Sequence, residues 1–139
     1  MASRAADIMT KDVTVIQEDE TLREAAERLA SDDIGVLPIC DSNKQIRGVL
    51  TDRDIVVHVI ARGKDPANTR ASELEQGEIV TLRPEDSIEH ACDLMAQYKV
   101  RRLPVVENGR VVGMVSQADV AKSVSPEQAG RMLTQISTG

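Results

Sequence analysis

Thr51 and Asp54 stand three positions apart in the stretch GVLTDRD, and Ser116 and Asp119 repeat that spacing in GMVSQAD, 65 positions further on. A hydroxyl followed three residues later by a carboxylate, just after an apolar run, has two uses. The first is local: the hydroxyl accepts the N–H of the residue three on, and the acid favours the positive end of a helix. The second is recognition: a strand that hands over to a helix offers N–H groups and a field suited to an anion. A carboxylate there accepts the hydroxyl hydrogens of a ribose, and a Thr or Ser hydroxyl reaches a phosphate oxygen. Taken singly each match reads as a cap; its recurrence at equivalent places points to a nucleotide.

Other chemistry finds little footing. The chain contains no GxSxG, HExxH or P-loop pattern, so catalysis is not expected. His58 and His90 have no neighbour at the spacing of HxxxH or CxxC. Cys40 lies in the apolar run VLPIC and Cys92 in the helical pattern IEHACDLM, which reads as two buried, inert thiols rather than a disulfide framework. A metal or redox sensor built on these four residues would need long-range convergence. Tyr98 is the only aromatic residue, so a bound base would lie between aliphatic side chains.

Composition narrows the partners. The 139 residues are 41% hydrophobic and 29% charged, with a net charge of −6. Lys and Arg are scattered, which argues against nucleic acid or an anionic membrane as partner. No apolar run approaches the ~18 residues of a membrane span. The opening MASRAADIMT lacks the apolar core of a secretory signal. A cytoplasmic location is the expectation.

The elements that position the two motifs are themselves repeated. Residues 13–42 lie on residues 79–108 at an offset of 66, so that Ala25 meets Ala91 and Leu37-Pro38 meets Leu103-Pro104. Each half reads β-α-β-β-α. Short β-rich runs at 13–16 and 79–82 come first. Helices follow, capped by Thr21 (with Glu24 closing a box) and Ser87. Leu22, Ala25, Ala26, Leu29 and Ala30 form one apolar face, as do Ile88, Ala91, Cys92 and Met95. Two apolar runs then flank DSNKQ in the first half and ENGR in the second, where Asn108-Gly109 predicts a hairpin. Pro38 and Pro104 predict edge or bulged strands. Second helices are expected over 53–62 and 118–124. GKDPANTR reads as a linker. SPEQ starts a last helix, whose stripe Ala129, Met132, Leu133 and Ile136 fits the module or a second copy equally well.

The tandem β-α-β-β-α units, the Leu-Pro step and the G-h-h-[T/S]-x-x-D ending (h, apolar) resemble the cystathionine-β-synthase (CBS) domain family, whose pairs are called Bateman modules. DIGVLPICD, GVLTDRDIV and KVRRLPVV look most similar to small stand-alone bacterial pairs of the hypoxic response protein type. The resemblance implies a mixed α/β (α+β) fold of two CBS units packed with pseudo-twofold symmetry. Its parts are unit 1 at 5–64, a linker at 65–76, unit 2 at 77–124 and a C-terminal helix and tail at 125–139.

It also implies two clefts between units. One would join Thr51, Arg53 and Asp54 to Val80, Val100, Arg101, Arg102 and Pro104. The other would join Ser116 and Asp119 to Thr14, Ile34, Gly35, Val36 and Pro38. Arg102 aligns with Val36, so only the first cleft carries a guanidinium for a phosphate. Such a charge-assisted bond is worth roughly 1.5–3 kcal/mol. AMP, ADP, ATP or S-adenosylmethionine are the implied ligands, with AMP preferred in the first cleft and none required for the fold. A solvated surface pair is the competing reading of Arg101 and Arg102. The resemblance further implies a homodimer through the helix bearing Ile55, Val56, Val59 and Ile60, with output to a protein partner in trans. A stress-associated scaffold without ligand is the alternative.

Overall fold

The computed structural model describes residues 3–75 and 79–137. It divides into two compact units. The described residues of one are 14–75 and 79; those of the other are 3–13 and 80–137. The chain is mixed α/β, as expected.

In the first unit, strand β1 (Ile16–Gln17) runs parallel to β2 (Val36–Cys40), which pairs antiparallel with β3 (Ile46–Thr51). Helix α2 (Leu22–Ser31) buries Leu22, Ala25 and Leu29. Ala30, placed on the apolar face by periodicity, is exposed. Ile16, Leu37, Ile39, Leu50, Ile55 and Val59 complete an all-aliphatic core. Each fully buried side chain of this size contributes roughly 1.5–3 kcal/mol.

The second unit pairs β4 (Arg102–Glu107) with β5 (Arg110–Ser116). Asn108 (φ 54°) and Gly109 (φ 80°) make the predicted two-residue turn between them. The strand expected at 79–82 shrinks to one parallel bridge, Leu82 to Val105. Helix α4 (Ile88–Tyr98) buries Ile88, Ala91, Cys92 and Met95. Helix α6 (Pro126–Ser137) turns Met132 and Ile136 into the same core and leaves Leu133 40% exposed. The last stripe therefore packs back on its own unit, under the predicted Ser125–Gln128 cap.

The prolines disturb the ladders less than expected. The Pro104 carbonyl accepts from Leu82 N–H at 2.9 Å. A strand residue's N and C=O project to the same side, so the Pro104 nitrogen faces away from β5 and no β4–β5 bond is lost. The register shifts fall later, at Ile39/Cys40 and Val105/Val106. In the three-stranded sheet β2 is the middle strand, not an edge, but β1 begins to pair with it only at Ile39, one residue beyond Pro38.

The second helices are shorter than predicted. α3 (Asp52–Ile55) continues as a π-helical stretch, Val56–Ile60, in which Ala61 N–H reaches Val56 C=O at 2.9 Å. This run is rich in β-branched residues, which crowd the tighter α-turn. Helix α5 covers Gln117–Ala121.

A segment ahead of each aligned repeat completes the two units. Arg4 bridges to Ser87, and Arg70 bridges to Thr21. Both pairs obey the offset of 66. The backbone bonds match: Ala5 N–H to Asp86 C=O at 2.7 Å and Ala71 N–H to Glu20 C=O at 2.8 Å. Helix α1 (Ala5–Ile8) thus lies on the second repeat, and the 3-10 turn Ala71–Leu74 lies on the first. Ala5 and Ala71 are both fully buried. The boundaries drawn from the sequence follow the repeat along the chain; the compact units instead pair each repeat with the arm that precedes the other.

Candidate functional site

Each motif sits where a strand ends and a short helix begins. Thr51 closes β3 in extended backbone, φ −110° and ψ 161°, and caps α3. Its Oγ1 accepts from Asp54 N–H at 3.1 Å, and Asp54 Oδ2 accepts from Thr51 N–H at 2.9 Å. Ser116 and Asp119 repeat this reciprocal cap at 3.2 and 3.1 Å. The capping reading is therefore realised twice. It consumes one carboxylate oxygen on each acid. Oδ1 of Asp54 and Oδ1 of Asp119 take no hydrogen bond among the described residues. Both acids are half-buried.

Free amides at α3 were an expectation that the geometry corrects. Asp52 N–H donates to Gly35 C=O at 3.1 Å, and Arg53 N–H to Asp52 Oδ1 at 2.7 Å. With Thr51 and Asp54 also paired, the first turn is satisfied internally. An anion there would be met by side chains, not by the helix end.

The structure places the remaining candidates as follows. Val36 pairs in register with Thr51 across β2 and β3, with Ile34 and Gly35 just ahead of it. Pro38 faces Val49 two residues along. Arg102 pairs in register with Ser116, and Pro104 with Met114. Gln117 N–H donates to Arg101 C=O at 2.8 Å. Within each unit the strand start and the hydroxyl–acid cap are thereby brought together: Ile34–Gly35–Val36 with Thr51 and Asp54, and Arg101–Arg102 with Ser116 and Asp119. Both arginines are exposed, and neither guanidinium has an ion-pair or hydrogen-bond partner among the described residues. Arg53 is exposed as well. Thr14 donates its hydroxyl to Asp32 at 2.6 Å. Val80 and Val100 pack partly buried against the core of the second unit.

The other reactive groups are quiet. Cys40 and Cys92 are buried, and burial, aided by Asp41 and Asp93 respectively, pushes both thiols above their ordinary value. His90 is exposed. No group of three or more His, Cys, Asp or Glu among the described residues is arranged to hold a metal ion. A groove of about 780 Å³ opens between α4 and α6, lined by Cys92, Asp93, Ala96, Gly130 and Arg131 among others. It includes Cys92 but neither hydroxyl–acid motif and neither Arg101 nor Arg102.

Two repeats of this form, each ending in the hydroxyl–acid cap, match a known family model, the CBS domain, over residues 5–61 and 71–126. The chain belongs to the CBS domain family. It is 42% identical over 125 residues to hypoxic response protein 1 of Mycobacterium tuberculosis, covering 90% of this chain and 87% of that protein. It is 38% identical over 136 residues to the CBS domain-containing protein YhcV of Bacillus subtilis, covering 97% and 96%. Among solved structures it is similar to Hypoxic Response Protein I with two coordinated zinc ions, at a TM-score of 0.81 and 41% identity, covering 88% of this chain and 99% of that one.

The chain is thus a CBS pair of the regulatory kind; proteins of this family are generally ligand-binding and non-catalytic. The family model begins at residue 5 and resumes at residue 71, and so takes in both arms. The signal was present: Ser3-Arg4-Ala5 matches Thr69-Arg70-Ala71 at the same offset of 66. No helix among the described residues is long and apolar enough to cross a membrane.

Proposed function

We propose that this CBS pair is a sensor of adenosine nucleotides, with AMP preferred, that signals in trans as a homodimer. In the arrangement the family implies, Thr51 and Asp54 of one repeat work with Arg101 and Arg102 of the other. The observation that carries the reading is the half-used carboxylate: Asp54 spends Oδ2 on its cap and keeps Oδ1 for an incoming hydroxyl. Arg101 and Arg102, whose guanidiniums are unpaired among the described residues, supply positive charge for a phosphate. Because the amides of α3 are already bonded, Thr51 Oγ1 and Arg102 carry the phosphate in this account. Val80 and Val100 supply aliphatic walls for the base.

The second site, with Ser116 and Asp119, has Val36 where the first has Arg102. It favours an uncharged adenosyl group such as that of S-adenosylmethionine, or stays empty. The zinc ions of the hypoxic response protein structure raise a metal-sensing alternative. The described residues of this chain offer no cluster of ligands for it.

Self-association through the segment after Thr51 is part of the proposal, in altered form. Ile55 and Val59 are spent on the first unit's own core, whereas Val56 (59% exposed), Val57 (37%) and Ile60 (54%) face outward. The buried contact would use the second set.

Calorimetry with AMP, ADP, ATP and S-adenosylmethionine tests the ligand reading. AMP should give saturable heat and raise the melting temperature. Absence of heat and of thermal shift with all four at millimolar concentration would leave the ligand-free scaffold. Sedimentation tests the dimer, with a concentration-independent 15 kDa species as the contrary result.

A further inference from the structure

The arm that precedes the second repeat is fastened to the first unit by Ala71 N–H to Glu20 C=O at 2.8 Å and Ser72 N–H to Glu18 C=O at 2.9 Å. One turn beyond Ser72, Glu75 folds back, its N–H on Ser72 C=O at 3.3 Å. This brings its carboxyl group against that of Glu18, the residue whose carbonyl holds the arm. Asp41 and Arg47 are the other charged groups facing it, one from the turn after β2 and one from β3. Oε1 of Glu75 is closed off from solvent and has no hydrogen-bond partner among the described residues.

Two carboxylates cannot bond each other, since both only accept. One proton between them turns the contact into an O–H···O⁻ bond and removes a like-charge repulsion. A buried oxygen left unsatisfied is costly, so the arm is held best when that proton is present. We propose that the Glu18–Glu75 pair is a proton-operated latch that fastens the 69–75 arm to the first repeat and loosens it on deprotonation.

The direction follows from linkage. Burial first, then the adjacent Glu18 carboxyl, push the Glu75 carboxyl above its ordinary value of 4.5; Asp41 adds to this and Arg47 opposes it. A group raised in the docked state favours docking in acid. Its contribution fades as pH rises through the raised value. The neighbouring Glu20–Arg28 pair titrates in the opposite direction and below 4.5, outside this window.

The test is amide exchange by NMR on the full chain from pH 5 to 8, corrected for intrinsic rates. Protection of Ser72 and Ala71 should fall severalfold to tenfold across the range, while Leu50 and Val59 stay constant. Glu75→Gln, whose amide donates to Glu18 without a proton, should hold Ser72 and Ala71 protected at every pH. Glu18→Gln should flatten the profile in the same way. Carboxyl carbon titration of the unmodified chain should put the Glu75 midpoint above that of an ordinary glutamate. Either flat wild-type protection, or a profile in the Gln variants that keeps the wild-type slope, overturns the latch. An ordinary Glu75 midpoint overturns it even where a variant fails to fold.

Discussion

Asp54 and Thr51 hold each other by two hydrogen bonds, 2.9 and 3.1 Å, and the acid still has one oxygen to spare. Cap and ligand contact are therefore not alternatives. The cap fixes the rotamer of the acid, and a fixed acid loses less entropy when a ribose arrives. The same pair recurs at Ser116 and Asp119.

Asp54→Ala should cost about 1 kcal/mol of stability through the lost cap. It should also weaken AMP and adenosine alike, because both carry the ribose. Asp119→Ala should show the same loss of stability and leave the AMP site intact. Denaturant titration and calorimetry on both variants separate the two roles.

Gly113 is packed against Met9 of the N-terminal arm. A Cβ there would sit 2.8 Å from Met9 Cγ and closer still to Sδ. Gly113→Ala should destabilise by roughly 1–3 kcal/mol. Met9→Ala in the same chain should recover part of that loss, which a double-mutant cycle of melting temperatures would reveal. Strict additivity would mean the arm is not seated on β5.

How the halves were legible explains what was missed. The helices announced themselves by period and by cap: Leu22, Ala25 and Leu29 are buried where the spacing put them, and Thr21, Ser87 and Ser125 all cap, although among the described residues Glu24 does not return the bond that would close the expected box at Thr21. The Asn108-Gly109 turn was legible because few residue pairs accept two positive φ values. The leading strands were overestimated, since propensity at 13–16 and 79–82 says nothing of whether a neighbour is there to pair. The docking of the arms was not legible because SRAADI and TRASEL have no periodicity of their own; their contacts lie far along the chain. The free Oδ1 of Asp54 and the orphaned oxygen of Glu75 depend on side-chain geometry that no pattern encodes.

Glu20 gives a pH prediction. Arg28 grips its carboxylate through both guanidinium nitrogens, and Gln17 N–H donates at 2.9 Å. These bonds, that of Arg28 foremost, lower the Glu20 value from 4.5 to about 2. A depressed acid stabilises the fold above its unfolded value and loses that contribution as pH falls. Stability should decline between pH 4.5 and 2. Because Arg28 is 38% exposed, solvent screening limits the pair to about 1 kcal/mol. Glu20→Gln should remove that amount at neutral pH and flatten the acid limb, as read by thermal melts.

Lys99 ends α4 in the left-handed region, φ 55° and ψ 45°. Glycine adopts that conformation without strain. Lys99→Gly should stabilise by about 0.5–1 kcal/mol. A lower melting temperature would show that the lysine side chain has a role its exposed position does not suggest.

The nucleotide reading is tested most directly by titrating AMP and adenosine, in parallel, into the wild-type protein and into Arg102→Ala. The account predicts that wild type binds AMP more tightly than adenosine, and that Arg102→Ala loses about tenfold to a hundredfold for AMP while adenosine is little changed. Equal losses for the two ligands, or no binding of either by the wild type, would contradict it.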